Sequence, residues 1–249
     1  MINRLIILSP HFDDAIFSVG GLLAAWSSQF KSMIVVNIFT SNPPKESTPQ
    51  AKLFHRRYID ENPVAIRCML DQRAYSHYNI EIINLDFLDA IYRFDVIDKR
   101  PNYLDPIDIF STVNPKDTYL AVSIFKSIEQ QFKLTNEDVI LSPLGVGGHV
   151  DHEITRLAAE NFEQPLVLYY EDCPYSFQPT IRSSRQVLTI NMYPLIVPID
   201  SNCTSLKITA IKEYNTPVST NCFVNYMAEI KPHAYAERLW AFNPLSQLF

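Results

Sequence analysis

Short apolar runs alternate with longer stretches of helical period along this chain. Leu5-Ile6-Ile7-Leu8 is an unbroken apolar run, the mark of a strand buried on both faces. It stops at Ser9-Pro10, because proline cannot donate to a sheet ladder. After Asp14 the period changes: Ile16, Val19, Leu23 and Trp26 fall at helical spacing, and Asp13 or Asp14 is placed to cap that helix. Met33 to Phe39 predicts a second buried strand. A strand, a loop, a helix and a strand in this order predict a parallel sheet with helices on its faces.

The pattern continues after a polar, proline-bearing loop from Thr40 to Pro49. Leu53, Ile59 and Leu70 mark a helical stretch, and Ile80 to Leu85 predicts a third strand. Arg93 to Pro115 is rich in Asp, Asn and Pro without sustained period; a loop of that length inside a domain is usually functional, and a lid beside the site is expected. Asp117 is placed to cap a helix with the face Leu120, Ile124, Ile128 and Phe132. Val139-Ile140-Leu141 predicts the next strand, Val150, Ile154, Leu157 and Ala158 another helix, and Leu166 to Tyr170 another strand. In the C-terminal third, Val187 to Ile190 reads as a strand and Leu206, Ala210 and Tyr214 as a helix. No repeat or linker breaks the series, so one doubly wound α/β domain over 1–249 is the expectation.

Composition narrows the function classes. The chain has 249 residues, 47 % hydrophobic and 19 % charged, which suits a folded globular protein. Its net charge is −6, and the densest basic run is only His55-Arg56-Arg57, so nucleic acid is not the expected partner. Four cysteines, at 68, 173, 203 and 222, show neither zinc-ribbon spacing nor a disulfide framework. The N-terminal apolar run is too short for a signal peptide, and no stretch approaches the roughly 20 apolar residues of a membrane span. A soluble cytoplasmic protein with reduced thiols is expected; oligomeric state is not readable.

Two polar islands stand where apolar strands end: Pro10-His11-Phe12-Asp13-Asp14 and His149-Val150-Asp151-His152. All five glycines lie beside them, Gly20 and Gly21 after the first and Gly145, Gly147 and Gly148 before the second. In doubly wound sheets ligands sit at the carboxyl ends of strands, so islands some 135 residues apart are expected to be neighbours. Their donors suit a metal-centred site. Hydrolytic zinc commonly takes three ligands from His and carboxylate and leaves one position for water. A carboxylate next to a ligand carboxylate can serve as base, and an imidazole can stabilise the oxyanion. Asp151 is placed to hold the other nitrogen of His149. Taken singly, the aspartates can be helix caps and a histidine can be structural; it is their joint arrival that carries the reading. His55, His77 and His233 lack such company and are expected to be structural or surface.

Pro10-His11-Phe12-Asp13-Asp14 followed by Ser18-Val19-Gly20-Gly21, with Gly148-His149-Val150-Asp151-His152, resembles the PIG-L (LmbE-like) family of zinc-dependent N-deacetylases. Weaker echoes are Arg57, Glu61 and Ala65, the run Leu88 to Arg93, and Glu237-Arg238-Leu239-Trp240. The resemblance implies a Rossmann-like three-layer α/β sandwich with a mostly parallel sheet. It implies removal of an N-acetyl group from an amino-sugar conjugate, with zinc-bound water attacking the amide. His11, Asp14 and His152 correspond to the metal ligands and Asp13 to the general base. His149 corresponds to the imidazole that stabilises the oxyanion and helps protonate the amine, oriented by Asp151, and Arg57 and Asp89 fall in regions that reach the sugar. Phe12 and Ala15 replace the family's usual Pro and Glu, and Val150 its usual Pro; none of these removes a ligand or the base. The form is nearest the branch acting on glycopeptide antibiotics and other secondary metabolites.

Two histidines and a carboxylate are also the ligand set of non-haem Fe(II) oxygenases, although the spare base favours hydrolysis, with Fe(II) a possible hydrolytic ion. The rival class is a non-catalytic Rossmann-like protein binding a sugar or nucleotide sugar, weakened by the lack of a G-x-G-x-x-G loop.

Overall fold

The computed structural model of the chain describes residues 2–45, 47–58, 62–95, 97–178, 180–214, 216–231 and 234–244. Ile59, Glu61 and His233 lie outside the described residues. From the N-terminus the elements are β1 (Ile2–Ser9), α1 (Asp14–Ala25), β2 (Phe30–Asn37), α2 (Pro49–His55), α3 (Pro63–Tyr75) and β3 (Glu81–Asn84). A small hairpin, β4 (Phe94–Asp95) and β5 (Arg100–Pro101), precedes α4 (Tyr119–Phe132), β6 (Val139–Pro143), α5 (Val150–Ala159) and β7 (Leu166–Tyr170). The C-terminal part holds α6 (Arg182–Leu188), β8 (Tyr193–Ile199), α7 (Ser201–Glu213), α8 (Thr220–Ile230) and β9 (Tyr235–Ala241).

Seven strands form one sheet in the order β3-β2-β1-β6-β7-β9-β8. The first five are mutually parallel, while β9 runs antiparallel to both β7 and β8. Ile6 and Ile7 of β1 lie level with Ile140 and Leu141 of β6, so these strands end side by side. The chain leaves β1 toward β2 and β3 on one side, and β6 toward β7 on the other. A crevice opens where the winding reverses, at the carboxyl ends of β1 and β6.

The continuous apolar runs are explained by burial on both faces. Leu5, Ile7, Val35, Leu141 and Tyr170 pack toward α1, α3, α7 and α8; Ile6, Leu8, Val36, Ile140 and Tyr169 pack toward α4 and α5. Each fully buried Leu or Ile contributes roughly 1.5–3 kcal/mol from leaving water. The result is the expected three-layer α/β sandwich. Among the described residues no helix is long and apolar enough to cross a membrane.

Several local expectations change. Val187 and Leu188 end a helix and Ile190 lies in the turn after it; the strand comes later, at Tyr193–Ile199. Pro194 and Pro198 hide it from a sequence reading, and they are tolerated because β8 is an edge strand, paired among the described residues only with β9. The helical stretch through Leu53 and Leu70 is two helices, the second opening at Pro63 behind an Asn62 cap. Asp117 does not cap α4: it sits in a 3-10 turn with its carboxylate turned inward to Arg93, Asn102 and Tyr103. Asp13 occupies the N-cap position of α1, but its side chain makes no capping bond.

Gly20 and Gly21 serve close packing rather than a turn. Helix α1 kinks at Val19 (φ −127°, ψ 15°), and the freed amides of Gly21 and Leu22 donate to the Glu237 carboxylate at 3.1 and 2.7 Å. A Cβ on Gly21 would meet Ile199 Cγ2 at 2.9 Å. Lys207, also buried, completes the arrangement with Nζ 2.6 Å from Glu237.

Candidate metal centre and active site

The turn after β1 is fixed by Ser9, whose hydroxyl donates to the His11 carbonyl at 2.5 Å and accepts from the Ala15 amide at 3.1 Å. Asp14 Oδ2 accepts from the His11 amide at 2.9 Å, which turns that carboxylate into the crevice instead of over the helix end. The chain leaves β6 through Gly145, Gly147 and Gly148, all at positive φ (+87°, +98° and +68°), where a side chain is strained. At Gly147 a Cβ would also lie 2.6 Å from the Tyr175 ring. His149 then caps α5, its Nδ1 accepting from the Asp151 amide at 3.2 Å, and His152 follows within the first turn on the buried side.

His11, Asp14 and His152 converge, with one donor atom of each within 4.8 Å of the others. Asp14 Oδ2 is the hub, 3.1 Å from His11 Nδ1 and 3.2 Å from His152 Nε2. The latter contact has the distance of an ion pair but lacks hydrogen-bond geometry, so His152 Nε2 is a buried nitrogen without a hydrogen-bond partner among the described residues. Its other nitrogen, Nδ1, is held 2.6 Å from Asp172 Oδ1. Burial alone would lower the His11 pKa, but Asp89, Asp14 and Asp151 outweigh it and push the pKa up to about 10. His152 is likewise raised, against burial, by Asp14 and Asp172. Burial would raise Asp14, yet His152 and His11 hold it well below the usual carboxylate range. Two imidazoles thus crowd one carboxylate oxygen, and a divalent cation that binds there displaces any proton on the nitrogens that face it. The donor set, with a carboxylate behind the His152 ring, fits zinc.

A second group, His11, His149 and Asp151, also falls within 4.8 Å. There, however, Asp151 Oδ1 is ion-paired with the buried Arg93 guanidinium, and a cation would face that charge. The first group is the better cradle.

The remaining expected residues surround it. Asp13 faces an open pocket of about 330 Å³ that Arg57, Asp89, His149 and Tyr175 also line. Its carboxylate is 3.3 Å from Arg67 Nη2, and Arg67 is in turn stacked on Phe12 and Phe54. Burial and the neighbouring His11 push the His149 pKa well below the ordinary value, and its ring meets His11 and Phe110 edge-on. Asp89 Oδ2 lies 3.5 Å from His11 Nε2. Asp151 is placed differently from the sequence expectation. Its carboxylate reaches His11 Nε2 (3.1 Å), the Ala90 amide (3.0 Å) and Arg93, while toward His149 it offers only its backbone N–H. His55 and His77 pair with Tyr92 and Glu213, away from the triad.

Two contributors were not singled out from sequence: Asp172 and Arg67. Asp172 follows the carboxyl end of β7, so the rule that located the islands also points to it. Arg67 carries no such signal.

Residues 6–162 match the family model described as PIG-L: GlcNAc-PI de-N-acetylase. The chain belongs to the PIG-L family. It is 30 % identical over 184 residues to 2'-N-acetylparomamine deacetylase of Streptomyces fradiae, covering 71 % of this chain and 59 % of that protein. With the enzyme of the same name from Niallia circulans it is 26 % identical over 189 residues, covering 68 % and 66 %. The chain therefore spans about three-fifths to two-thirds of the length of these curated relatives. A structure of a deacetylase–teicoplanin complex from teicoplanin biosynthesis superposes with a TM-score of 0.78 at 23 % identity, over 96 % of this chain and 97 % of that one. That likeness establishes the LmbE-like fold.

Proposed function

We propose that this PIG-L protein is a zinc-dependent amidohydrolase that removes an N-acetyl group from an amino-sugar conjugate. The observation that carries the reading is a buried His11–Asp14–His152 cradle with a further carboxylate, Asp13, held by Arg67 and open to the adjoining pocket. A protein that only bound sugars would have no use for that pairing. The names of the relatives support an amino sugar as substrate, and the four cysteines are all free, which suits the cytoplasm. We read residues 1–249 as one catalytic domain.

His11 Nδ1, Asp14 and His152 Nε2 would hold the ion. When bound, a divalent cation lowers the pKa of water toward neutrality and polarises a carbonyl. Asp13 takes the proton of the water that attacks the amide carbon, and Arg67 holds the carboxylate in place. His149 Nδ1 accepts from the Asp151 amide, so its proton sits on Nε2, which donates to the oxygen as it gains charge. The C–N bond then breaks, the proton on Asp13 passes to the nitrogen, and acetate and a free amine leave. Arg57 and Asp89, on the pocket wall, contact the sugar. Phe110, from the 93–115 segment, packs beside His149 and Tyr175, which supports that segment as the lid.

The test is acetate release. The purified chain loaded with zinc is incubated with 2'-N-acetylparomamine and a panel of N-acetylglucosaminyl conjugates. Release that disappears in Asp13→Ala, with zinc content unchanged, is the expected result. No release from any amide by the zinc-loaded protein overturns the proposal.

A further inference from the structure

The geometry points to Arg93 as a positioning residue that makes the seating of the 93–117 loop and the holding of His11 a single event. This rests on the metal reading above and extends it to residues outside the donor set. Arg93 is 5 % exposed and uses both arms of its guanidinium. Nη2 is ion-paired with Asp151 Oδ1, and Nη1 lies 3.1 Å from Asp117 Oδ2. Its Nε donates to the Leu88 carbonyl at 2.9 Å and its plane lies over Phe39, so the group has no slack.

Each end of this bridge does a second job. Asp117 closes the loop: it accepts from Asn102 Nδ2 and from the Tyr103 hydroxyl, both at 2.8 Å. Tyr103 in turn accepts from the Asn114 amide at 3.2 Å, and the Asn102 amide donates to the Arg93 carbonyl at 3.0 Å. This ring carries Phe110, which borders the pocket. At the other end, Asp151 Oδ2 holds His11 Nε2 at 3.1 Å. A carboxylate only accepts, so it keeps the proton on Nε2 and leaves Nδ1 to face Asp14 and the ion. Both oxygens of Asp151 are occupied, so a displacement of Arg93 reaches the His11 ring. An ordinary loop anchor would end in the core; this one ends on the residue that orients a ligand.

Coupling of this kind is reciprocal: if the seated loop favours the ion, the ion must favour the seated loop. Zinc affinity is measured by competition with a chromophoric chelator, and amide hydrogen exchange is followed over residues 97–114 with and without zinc. In the unaltered protein, zinc should slow exchange of Asn102 to Asn114 at least about fivefold. Tyr103→Phe, which deletes one hydroxyl distant from the donors, should weaken zinc by about 3- to 10-fold, and Arg93→Gln by about 10- to 100-fold, with Arg93→Lys recovering part of it. In zinc-loaded Arg93→Gln the loop should no longer respond to the ion. Exchange that is equal with and without zinc, or Tyr103→Phe affinity within twofold of the unaltered chain, overturns the proposal. Should Arg93→Gln fail to fold, Tyr103→Phe decides alone. An unaltered chain that binds no zinc overturns the metal reading itself, and this inference with it.

Discussion

Asp172→Asn is the sharpest probe of the metal cradle, because it changes one atom type in a side chain that touches neither ion nor substrate. Asp172 is fully buried and accepts from three donors: His152 Nδ1 at 2.6 Å and the amides of Gly145 and Val146 at 2.8 Å each. An asparagine has one acceptor oxygen and one donor NH₂, so it serves only one of these two sides. With the oxygen toward His152, the NH₂ faces two backbone N–H groups. Both then lose their acceptor, at a cost of about 1–3 kcal/mol for each left unsatisfied, and Tm falls by about 2–4 °C for each kcal/mol in a chain of this size. With the NH₂ toward His152, the imidazole proton moves to Nε2 and the lone pair that the ion needs is gone. Loss of such a supporting carboxylate costs about 10- to 100-fold in metal affinity, equivalent to ~1.4–2.7 kcal/mol. Chelator competition and thermal unfolding, read together, report both branches. If Asp172→Asn binds zinc within twofold of the unaltered protein and melts at the same temperature, the argument that His152 is a ligand held by Asp172 is wrong.

Asp13→Asn should lower turnover by about 10²- to 10⁴-fold with full zinc content by elemental analysis, whereas His152→Ala should lose the metal as well. His149→Ala should lower kcat by about 10²- to 10³-fold while KM changes little, which steady-state kinetics on the responsive conjugate will show. Lys207→Met leaves Glu237 buried without its cation and should destabilise the fold by about 3–5 kcal/mol in urea unfolding; a loss below 1 kcal/mol would contradict the described burial. Burial pushes the Asp71 pKa up to about 8, partly opposed by the Tyr214 and Asn37 hydrogen bonds. A carboxyl raised in the folded state contributes stability that is complete below its unfolded pKa and lost as pH climbs through the folded one. Its contribution should therefore fall from about pH 4 and be gone above about pH 8. Asp71→Asn should flatten that part of the stability–pH curve, and an unchanged slope would remove Asp71 from the account.

The pattern of apolar positions was enough for the parallel half of the sheet, because strands buried on both faces must be continuously apolar: Leu5 to Leu8 and Val139 to Leu141 announce themselves. It was not enough for the antiparallel edge, where Pro194 and Pro198 sit on an exposed strand that propensity argues against. Likewise Asp117 has the sequence context of a helix cap, yet its carboxylate is claimed by Arg93, Asn102 and Tyr103, partners that local sequence does not display.

The order of residues already displays the chemical inventory: two islands of imidazole and carboxylate at strand ends, in a chain that keeps its glycines for those places. How that inventory is shared out depends on packing. The folded chain places the His11 and His152 rings on one oxygen of Asp14, leaves Asp13 open to the pocket, and gives Asp151 to His11 rather than to His149. It also brought in Asp172, Arg67 and Arg93 from other segments. The physical reason is that spacing along a strand or helix specifies local direction alone. Hydrogen-bond partners of buried charges are chosen by whichever groups the packed sheet brings within about 3 Å, and those come from anywhere in the chain.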